Sequence, residues 1–166
     1  MNSEYQFIKE IREQPNKISD SLMHADKNLK EIAQRYSQRI DRVIMVGCGD
    51  PYMLGIGATY AFEKWAQLPS ESIEAAEFTN YRHNLIDERT LVILISSSGK
   101  TVKVIDAARI AAQKGAPRLS ITNLTKSHLT DETNKVINKT QSTSFSCDLL
   151  KWLQIMQAYE NGAHAY

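Results

Sequence analysis

The chain has 166 residues, 42% of them hydrophobic, which is enough for one buried core and leaves little room for a second domain. The 20 lysines and arginines nearly balance the 19 aspartates and glutamates, and this excludes the broad charged surfaces typical of nucleic-acid or anionic-membrane binding. The amino terminus is polar and acidic, and no apolar run reaches the roughly 18 residues of a membrane span. We therefore expect a cytoplasmic protein without a membrane or nucleic-acid partner.

The cysteines and histidines point to neither a disulfide framework nor a metal site. Cys48 and Cys147 lie far apart in the sequence, which is not the spacing of metal ligands. The four histidines show no helical or loop spacing to one another or to a carboxylate that would suggest zinc. We expect reduced thiols, no bound metal and no cofactor.

The amino-terminal part of the chain has the apolar pattern of helices. Apolar residues recur at helical spacing over 4–13 and 16–40, and Pro15 separates the two predicted helices. A short apolar run at 43–46, closed by Gly47, then predicts a strand buried on both faces, as in a parallel sheet. We expect residues 1–40 to form a helical segment that packs on the main domain, residues 41–166.

The rest of the chain alternates between helix and strand patterns. Helices are predicted at 52–67, 101–114 and 148–159, and strands at 72–76, 91–95, 118–122 and 135–137. Gly115 suits a left-handed residue after the second of these helices. The alternation predicts an α/β fold: a three-layer αβα sandwich with a mainly parallel five-stranded sheet of the flavodoxin-like type.

In such sheets, ligands bind beyond the carboxyl ends of the strands. The strand at 91–95 is followed by what we call the serine loop (residues 96–101), which reads Ser96-Ser97-Ser98-Gly99-Lys100-Thr101. Its hydroxyls, together with free amides and the dipole of the following helix, favour a phosphate group. The alternative is that Ser98 or Thr101 merely caps this helix. Three consecutive serines exceed what a cap requires, and this favours a ligand.

The sequence matches two nucleotide-binding motifs only in part. The end of the serine loop matches the end of a Walker A motif, but Leu94 stands where that motif needs a glycine. The loop after the first strand begins with Gly47 and Gly49, as a dinucleotide-binding fingerprint does, but Tyr52 occupies the position of the third glycine. Both deviations argue against nucleotide binding.

These two loops carry a resemblance to the SIS (sugar isomerase) family, in particular to the first SIS domain of glucosamine-6-phosphate synthase and of related fructosamine-type deglycases. Where that family has Cys-Gly-Thr-Ser after a strand, this chain has Cys48-Gly49-Asp50-Pro51. The family's Ser-Gln-Ser-Gly-Glu-Thr loop matches the serine loop. A Glu-Gln-Pro segment at 13–15 is also similar, and the resemblance runs from about residue 10 to residue 159.

The resemblance implies that the chain binds a phosphorylated sugar, a ketose or amino-sugar phosphate, with its phosphate in the serine loop. The implied substrate-binding residues are Cys48, Gly49, Asp50, Ser96, Ser97, Ser98, Gly99, Thr101 and Ser144. Asp50-Pro51 departs from the family's Thr-Ser, so the sugar end of the site is expected to differ. Lys100 replaces a glutamate and either pairs with the phosphate or faces water, and Gln141 falls about where a glutamate is usual.

The resemblance also implies that the family's catalytic residues, which belong to its second SIS domain and carboxyl-terminal tail, lie outside this chain. We expect the amino-terminal half of a phosphosugar isomerase or deglycase, or a SIS protein that forms a homodimer. The alternative is a non-catalytic sugar-phosphate sensor that acts on another protein. Whether the chain is an enzyme stays open.

Three side chains invite a catalytic interpretation. Glu77 and His83 are possible as a general base and acid, but a strand-end carboxylate and a solvated loop histidine are favoured. Cys48 lies near a predicted helix amino terminus, which can activate a thiol, but an inert buried thiol is favoured.

Overall fold

The computed structural model describes residues 8, 9, 12, 13, 15, 16, 36 and 39–138, without the side chains of 135–138. In chain order the elements are β1 (Arg42–Gly47), α1 (Asp50–Ala61), β2 (Ser70–Glu74), α2 (Ala75–Glu77), β3 (Thr90–Ile95), α3 (Val102–Gln113), β4 (Arg118–Thr122), α4 (His128–Asp131) and β5 (Lys135–Asn138). A π-helical turn, Phe62–Ala66, extends α1, and the turns Phe78–Arg82 and His83–Leu85 extend α2.

The five strands form one sheet in the order β2-β1-β3-β4-β5, and every neighbouring pair is parallel. All six residues of β3 are buried, and β1 is buried from Val43 onwards. Burial on both faces explains why these strands read as continuous apolar runs and not as alternating ones. The predicted α/β class with a parallel sheet is confirmed.

Alternate residues of the central strands face two separate cores. On one face, the strands pack in a core with α1 through residues that include Val43, Met45, Ile93, Leu54 and Ala58. On the opposite face, they pack in a core with α2, α3 and α4 through residues that include Ile44, Leu94, Phe78, Val104 and Leu129. Helices therefore cover both faces, as the predicted three-layer sandwich requires.

The predicted strand at 72–76 is wrong by two residues, because the chain turns into α2 after Glu74. The Glu74 carboxylate accepts hydrogen bonds from the amides of Ala76 (2.6 Å) and Glu77 (3.3 Å) and so caps α2. The helix predicted at 52–67 starts earlier, at Asp50, and its α-helical part ends at Ala61. The short helices α2 and α4 were not predicted, since neither is long enough to show a helical period.

The predicted terminal helices fall largely outside the described residues. Residues 8, 9, 12, 13, 15, 16 and 36 are helical, whereas the helix predicted at 148–159 lies wholly outside. The division into a helical segment at 1–40 and a domain at 41–166 stays a prediction. No helix in the part of the chain that the structure describes is long and apolar enough to cross a membrane.

The topology brings two loops together. Strands β1 and β3 are neighbours, but α1 and α3, which follow them, lie on opposite faces of the sheet. This is a topological switch point, where a crevice opens beyond the carboxyl ends of the strands. The serine loop and the loop after β1, which we call the glycine loop (residues 47–49), flank this crevice.

Candidate functional site

Backbone contacts with β4 and the loop after it hold the serine loop in place. The amide of Ser96 donates to the carbonyl of Ile121 at 3.1 Å. The carbonyl of Ser97 accepts from the amide of Asn123 at 3.1 Å and from the hydroxyl of Thr122 at 3.3 Å. Sequence reasoning did not assign Thr122 and Asn123 to the site, although Thr122 is the last residue of a predicted strand and Asn123 follows it.

Gly99 is enclosed between the serine loop and α4. Its φ is +61°, a left-handed conformation that favours glycine. A Cβ atom at this position would overlap the Ser127 hydroxyl and lie 2.6 Å from the Ser127 Cβ. The carbonyl of Gly99 accepts from the amide of Leu129 at 3.1 Å. Both the backbone conformation and the available space therefore require glycine here.

The hydroxyls of the serine loop do not cap the following helix. Ser96 is buried, and its Oγ lies 2.9 Å from the Oγ1 of Thr101. The exposed Ser98 accepts a hydrogen bond from the amide of Lys100, which lies before α3. Among the described residues, no side chain caps α3, so the capping interpretation of Ser98 and Thr101 is wrong.

The start of α3 is locally electropositive. The first turn of α3 contains no acidic residue, and its amides carry the partial positive charge of a helix amino terminus. Lys100 and Lys103 are exposed on either side of this terminus. Acidic residues are the usual complement of such a terminus, and an anion bound there would serve the same purpose.

The glycine loop leads into α1 at the same edge of the sheet. Gly49 has φ +63° and occupies the N-cap position, and its carbonyl accepts from the amide of Tyr52 at 3.0 Å. Asp50 is exposed as the first residue of α1, and Pro51 suits the helix start because the amide that it lacks would be unpaired there. The exposed carboxylate of Asp50 therefore lies at the start of α1, beside the crevice.

The surroundings of Cys48 favour a protonated thiol. Its partial burial, together with the nearby Glu74 carboxylate, raises the pKa of Cys48 to about 11. Partial burial also disfavours the Glu74 carboxylate. Hydrogen bonds from the Cys48 thiol and from the amides of Ala75, Ala76 and Glu77 outweigh this and lower the pKa of Glu74. The thiol therefore stays protonated at neutral pH and links the ends of β1 and β2, which agrees with the expected inert thiol, whereas its half-buried position contradicts the expected burial.

Glu77 belongs to a surface ion-pair group. It lies 3.4 Å from Arg82, which also binds Glu71 at 2.8 Å. His83 is half-buried in a 3₁₀ turn, and its Nδ1 is buried without a hydrogen-bond partner among the described residues. The expectation of a solvated histidine is therefore wrong, whereas Glu77 is an exposed carboxylate near the end of β2, as expected.

The remaining predicted site residues lie elsewhere in the chain. Ser144 and Gln141 lie outside the described residues. Within the described part of the chain, no group of three or more His, Cys, Asp or Glu side chains is placed to hold a metal ion. The structure thus brings together two sets of predicted site residues, those of the serine loop and those at 48–50.

The sequence profile of the SIS domain family matches residues 37–150, more than half of the chain. The chain belongs to the SIS domain family. Glutamine–fructose-6-phosphate aminotransferase (isomerizing) of Mycolicibacterium smegmatis is 39% identical over 140 residues, which are 81% of this chain and 22% of that protein. This SIS domain therefore spans about a fifth of the length of such relatives.

Solved structures share the fold. The C-terminal domain of glucosamine-fructose-6-phosphate aminotransferase from Francisella tularensis superposes with a TM-score of 0.85 at 22% identity, over 96% of this SIS domain and 48% of that chain. The NanR protein of Vibrio vulnificus, in complex with ManNAc-6P, superposes with a TM-score of 0.74 at 18% identity, over 92% of this chain and 61% of that one. At these identities the likeness extends to the fold alone.

Proposed function

We propose that this SIS domain binds a phosphorylated sugar, a ketose or amino-sugar phosphate, with the phosphate in the serine loop. The start of α3 carries the proposal, because its amides lack a side-chain cap among the described residues and stand beside a row of hydroxyls at the switch point. The proposed phosphate ligands are the hydroxyls of Ser96, Ser98 and Thr101 and the backbone of Ser97. Gly99 allows the loop to fold closely, and Cys48, Gly49, Asp50 and Ser144 are proposed to face the sugar.

The name of one relative and the ligand of another support this ligand class. The name of the Mycolicibacterium smegmatis relative includes fructose 6-phosphate, and the NanR structure contains ManNAc-6P. The two ligands share a phosphorylated sugar and differ in the rest of the molecule. A site built around the phosphate, with other residues facing the rest of the sugar, accords with that difference.

Thermal unfolding with and without sugar phosphates tests the proposal. At a ligand concentration about a hundredfold above Kd, we expect Tm to rise by about 5–10 °C with fructose 6-phosphate, glucosamine 6-phosphate or N-acetylmannosamine 6-phosphate. Ser98→Ala should remove most of this rise, because it deletes one hydroxyl ligand. Ser70→Ala is the matched control, since Ser70 begins β2 at the opposite edge of the sheet. An equal rise in Tm with unphosphorylated fructose would contradict the proposal.

We further propose that the domain acts as the amino-terminal SIS half of a phosphosugar isomerase or deglycase, or as a SIS protein that pairs with itself. A sugar-phosphate sensor is the second candidate, because in the described residues the Cys48 thiol is protonated and Glu77 is paired with Arg82. Incubation with fructose 6-phosphate or fructosamine 6-phosphate, followed by NMR, separates the two. Conversion supports the enzyme, and saturable binding without conversion supports the sensor.

The outer face of α1 is the proposed pairing surface, with a second copy of the chain as its occupant. The sequence has no charged side chain between Asp50 and Glu63, and Met53 and Tyr60, two turns apart, are 55% and 70% exposed. A charge-free stripe is complementary to itself across a two-fold axis, as isologous pairing requires.

Light scattering after gel filtration measures this pairing. We expect a dimer for the wild type and a folded monomer for Tyr60→Lys, because a buried lysine would remain unpaired in the interface. Tyr81→Lys is the control, since Tyr81 is 75% exposed but lies beyond α2. A wild-type monomer at high concentration, or a Tyr60→Lys dimer, would contradict the pairing.

A further inference from the structure

A second polar cavity lies at the amino-terminal edge of the sheet, opposite the serine loop. It has a volume of about 280 Å³, and its lining includes Tyr36, Arg39, Glu88, Ala116, Arg118 and Asn134. Glu88 precedes β3, Arg118 begins β4 and Asn134 precedes β5, so the cavity and the crevice lie at opposite ends of the same strands. No residue of the proposed sugar-phosphate site contributes to it.

Arg118 lines this cavity, and its guanidinium forms no ion pair with the described residues. Its Nε donates to the carbonyl of Glu132 at 2.9 Å, and its Nη1 donates to the carbonyl of Ala116 at 3.2 Å. These two bonds fix the planar group, and its other three N–H donors have no partner among the described residues. In the described part of the chain, no carboxylate lies within 4 Å of it.

A second cation and an amide complete the polar lining. Arg39 is exposed, and its side chain makes no hydrogen bond or ion pair with the described residues. The Asn134 Oδ1 accepts the backbone amide of Arg118 at 3.0 Å, which leaves the Asn134 side-chain amine as a donor. Glu88 supplies the single carboxylate of the described lining, so the lining carries two positive charges and one negative charge.

Three other arginines among the described residues are paired with carboxylates, whereas Arg42 donates to the hydroxyl of Thr90. Arg82 binds Glu71 and Glu77, Arg89 binds Asp41, and Arg109 binds Asp106 and Glu132. Arg39 and Arg118 differ from these three arginines, and both line one cavity. A guanidinium that is held in place by carbonyls and lacks a carboxylate is well suited to bind an oxyanion in two-point fashion.

We propose that this cavity binds a small anion through a carboxylate or phosphate group held by Arg39 and Arg118. The Asn134 amine donates to the same anion, and Glu88 accepts from a hydroxyl or amino group elsewhere on the ligand. The cavity volume of about 280 Å³ lies just below the range of about 300–1,000 Å³ for small-molecule sites, which restricts the ligand to a compact metabolite. This site is independent of the sugar-phosphate site, and both can be occupied at once.

Titration of the ¹⁵N-labelled chain with inorganic phosphate and, separately, with malonate tests the proposal in an amide-resolved NMR experiment. Ser98→Ala serves as the background, so that phosphate binding at the serine loop is weakened. We expect saturable shifts at the amides of Gly115, Ala116 and Asn134 with at least one probe. The probe that binds more tightly identifies phosphate or carboxylate as the recognised group.

Substitutions on that background locate the charge that binds. Arg39→Gln should weaken binding about tenfold or more, because a charge-assisted hydrogen bond is lost, and Arg118→Gln should do the same. Arg82→Gln, which removes a paired arginine elsewhere, should leave the affinity unchanged. The Arg39 side chain makes no hydrogen bond or ion pair with the described residues, so its variant remains informative even if Arg118→Gln unfolds. Shifts confined to the serine loop, or an Arg39→Gln variant of full affinity, would overturn the proposal.

Discussion

Gly99→Ala is expected to lower the free energy of unfolding by about 2–4 kcal/mol and to abolish sugar-phosphate binding. The left-handed φ of +61° disfavours any side chain, and the added Cβ would meet the Ser127 Cβ at 2.6 Å. Ser127 cannot easily retreat, because its hydroxyl accepts the amide of Thr130 as the cap of α4. The serine loop or α4 must therefore move. Urea unfolding gives the stability, and titration calorimetry with fructose 6-phosphate gives the affinity.

Gly115→Ala is the matched control. Gly115 also has a positive φ, +74°, but a Cβ there would have no other atom within 4 Å. The variant should lose only about 1 kcal/mol, the cost of the left-handed conformation, and should bind the sugar phosphate normally. Equal losses for the two variants would show that steric enclosure of Gly99 plays no part.

Ser98→Asp is expected to weaken sugar-phosphate binding by more than about a hundredfold without weakening the fold. Ser98 is exposed, and its hydroxyl accepts the amide of Lys100, a contact that an aspartate carboxylate can also make. The added charge would repel a phosphate dianion at close range. Near the start of α3 the same charge should stabilise the unliganded chain by a few tenths of a kcal/mol. Affinity and stability should therefore change in opposite directions.

Ser98→Asn separates charge from shape in that experiment. Asparagine has nearly the size of aspartate and can accept the same amide, but it is neutral. We expect its affinity to stay within about tenfold of that of the wild type. Calorimetry measures the affinities and thermal unfolding measures the stabilities. Equal loss of affinity in both variants would show that the site does not bind an anion at Ser98.

Short apolar runs made the strands of the sheet predictable. The prediction at 118–122 coincides with β4, and that at 91–95 differs from β3 by one residue. Fully buried parallel strands carry this signal in their own residues. By contrast, the prediction at 72–76 is displaced from β2 by two residues. The end of β2 depends on the Glu74 side chain, which accepts the amide of Ala76 and so starts α2, and a pattern of apolar residues does not reveal this contact.

The candidate site was predictable in part. The serine loop could be recognised because three serines directly follow a buried strand, and this signal lies in residues that are adjacent in the sequence. The sequence did not indicate the roles of Thr122 and Ser127. Thr122 donates to the serine loop, and Ser127 encloses Gly99. Their roles depend on the pairing of β3 with β4, which connects residues far apart in the chain.

The sequence by itself determined the α/β class, the positions of the central strands and the loop rich in hydroxyl groups, because each follows from the burial pattern or chemistry of adjacent residues. Only the tertiary structure decided that the serine loop leaves α3 without a side-chain cap among the described residues, that Cys48 is held protonated beside Glu74, and that Arg39 and Arg118 share a cavity. These features depend on contacts between segments that are distant in the sequence. Such contacts are set by strand order and helix packing, and not by local propensity.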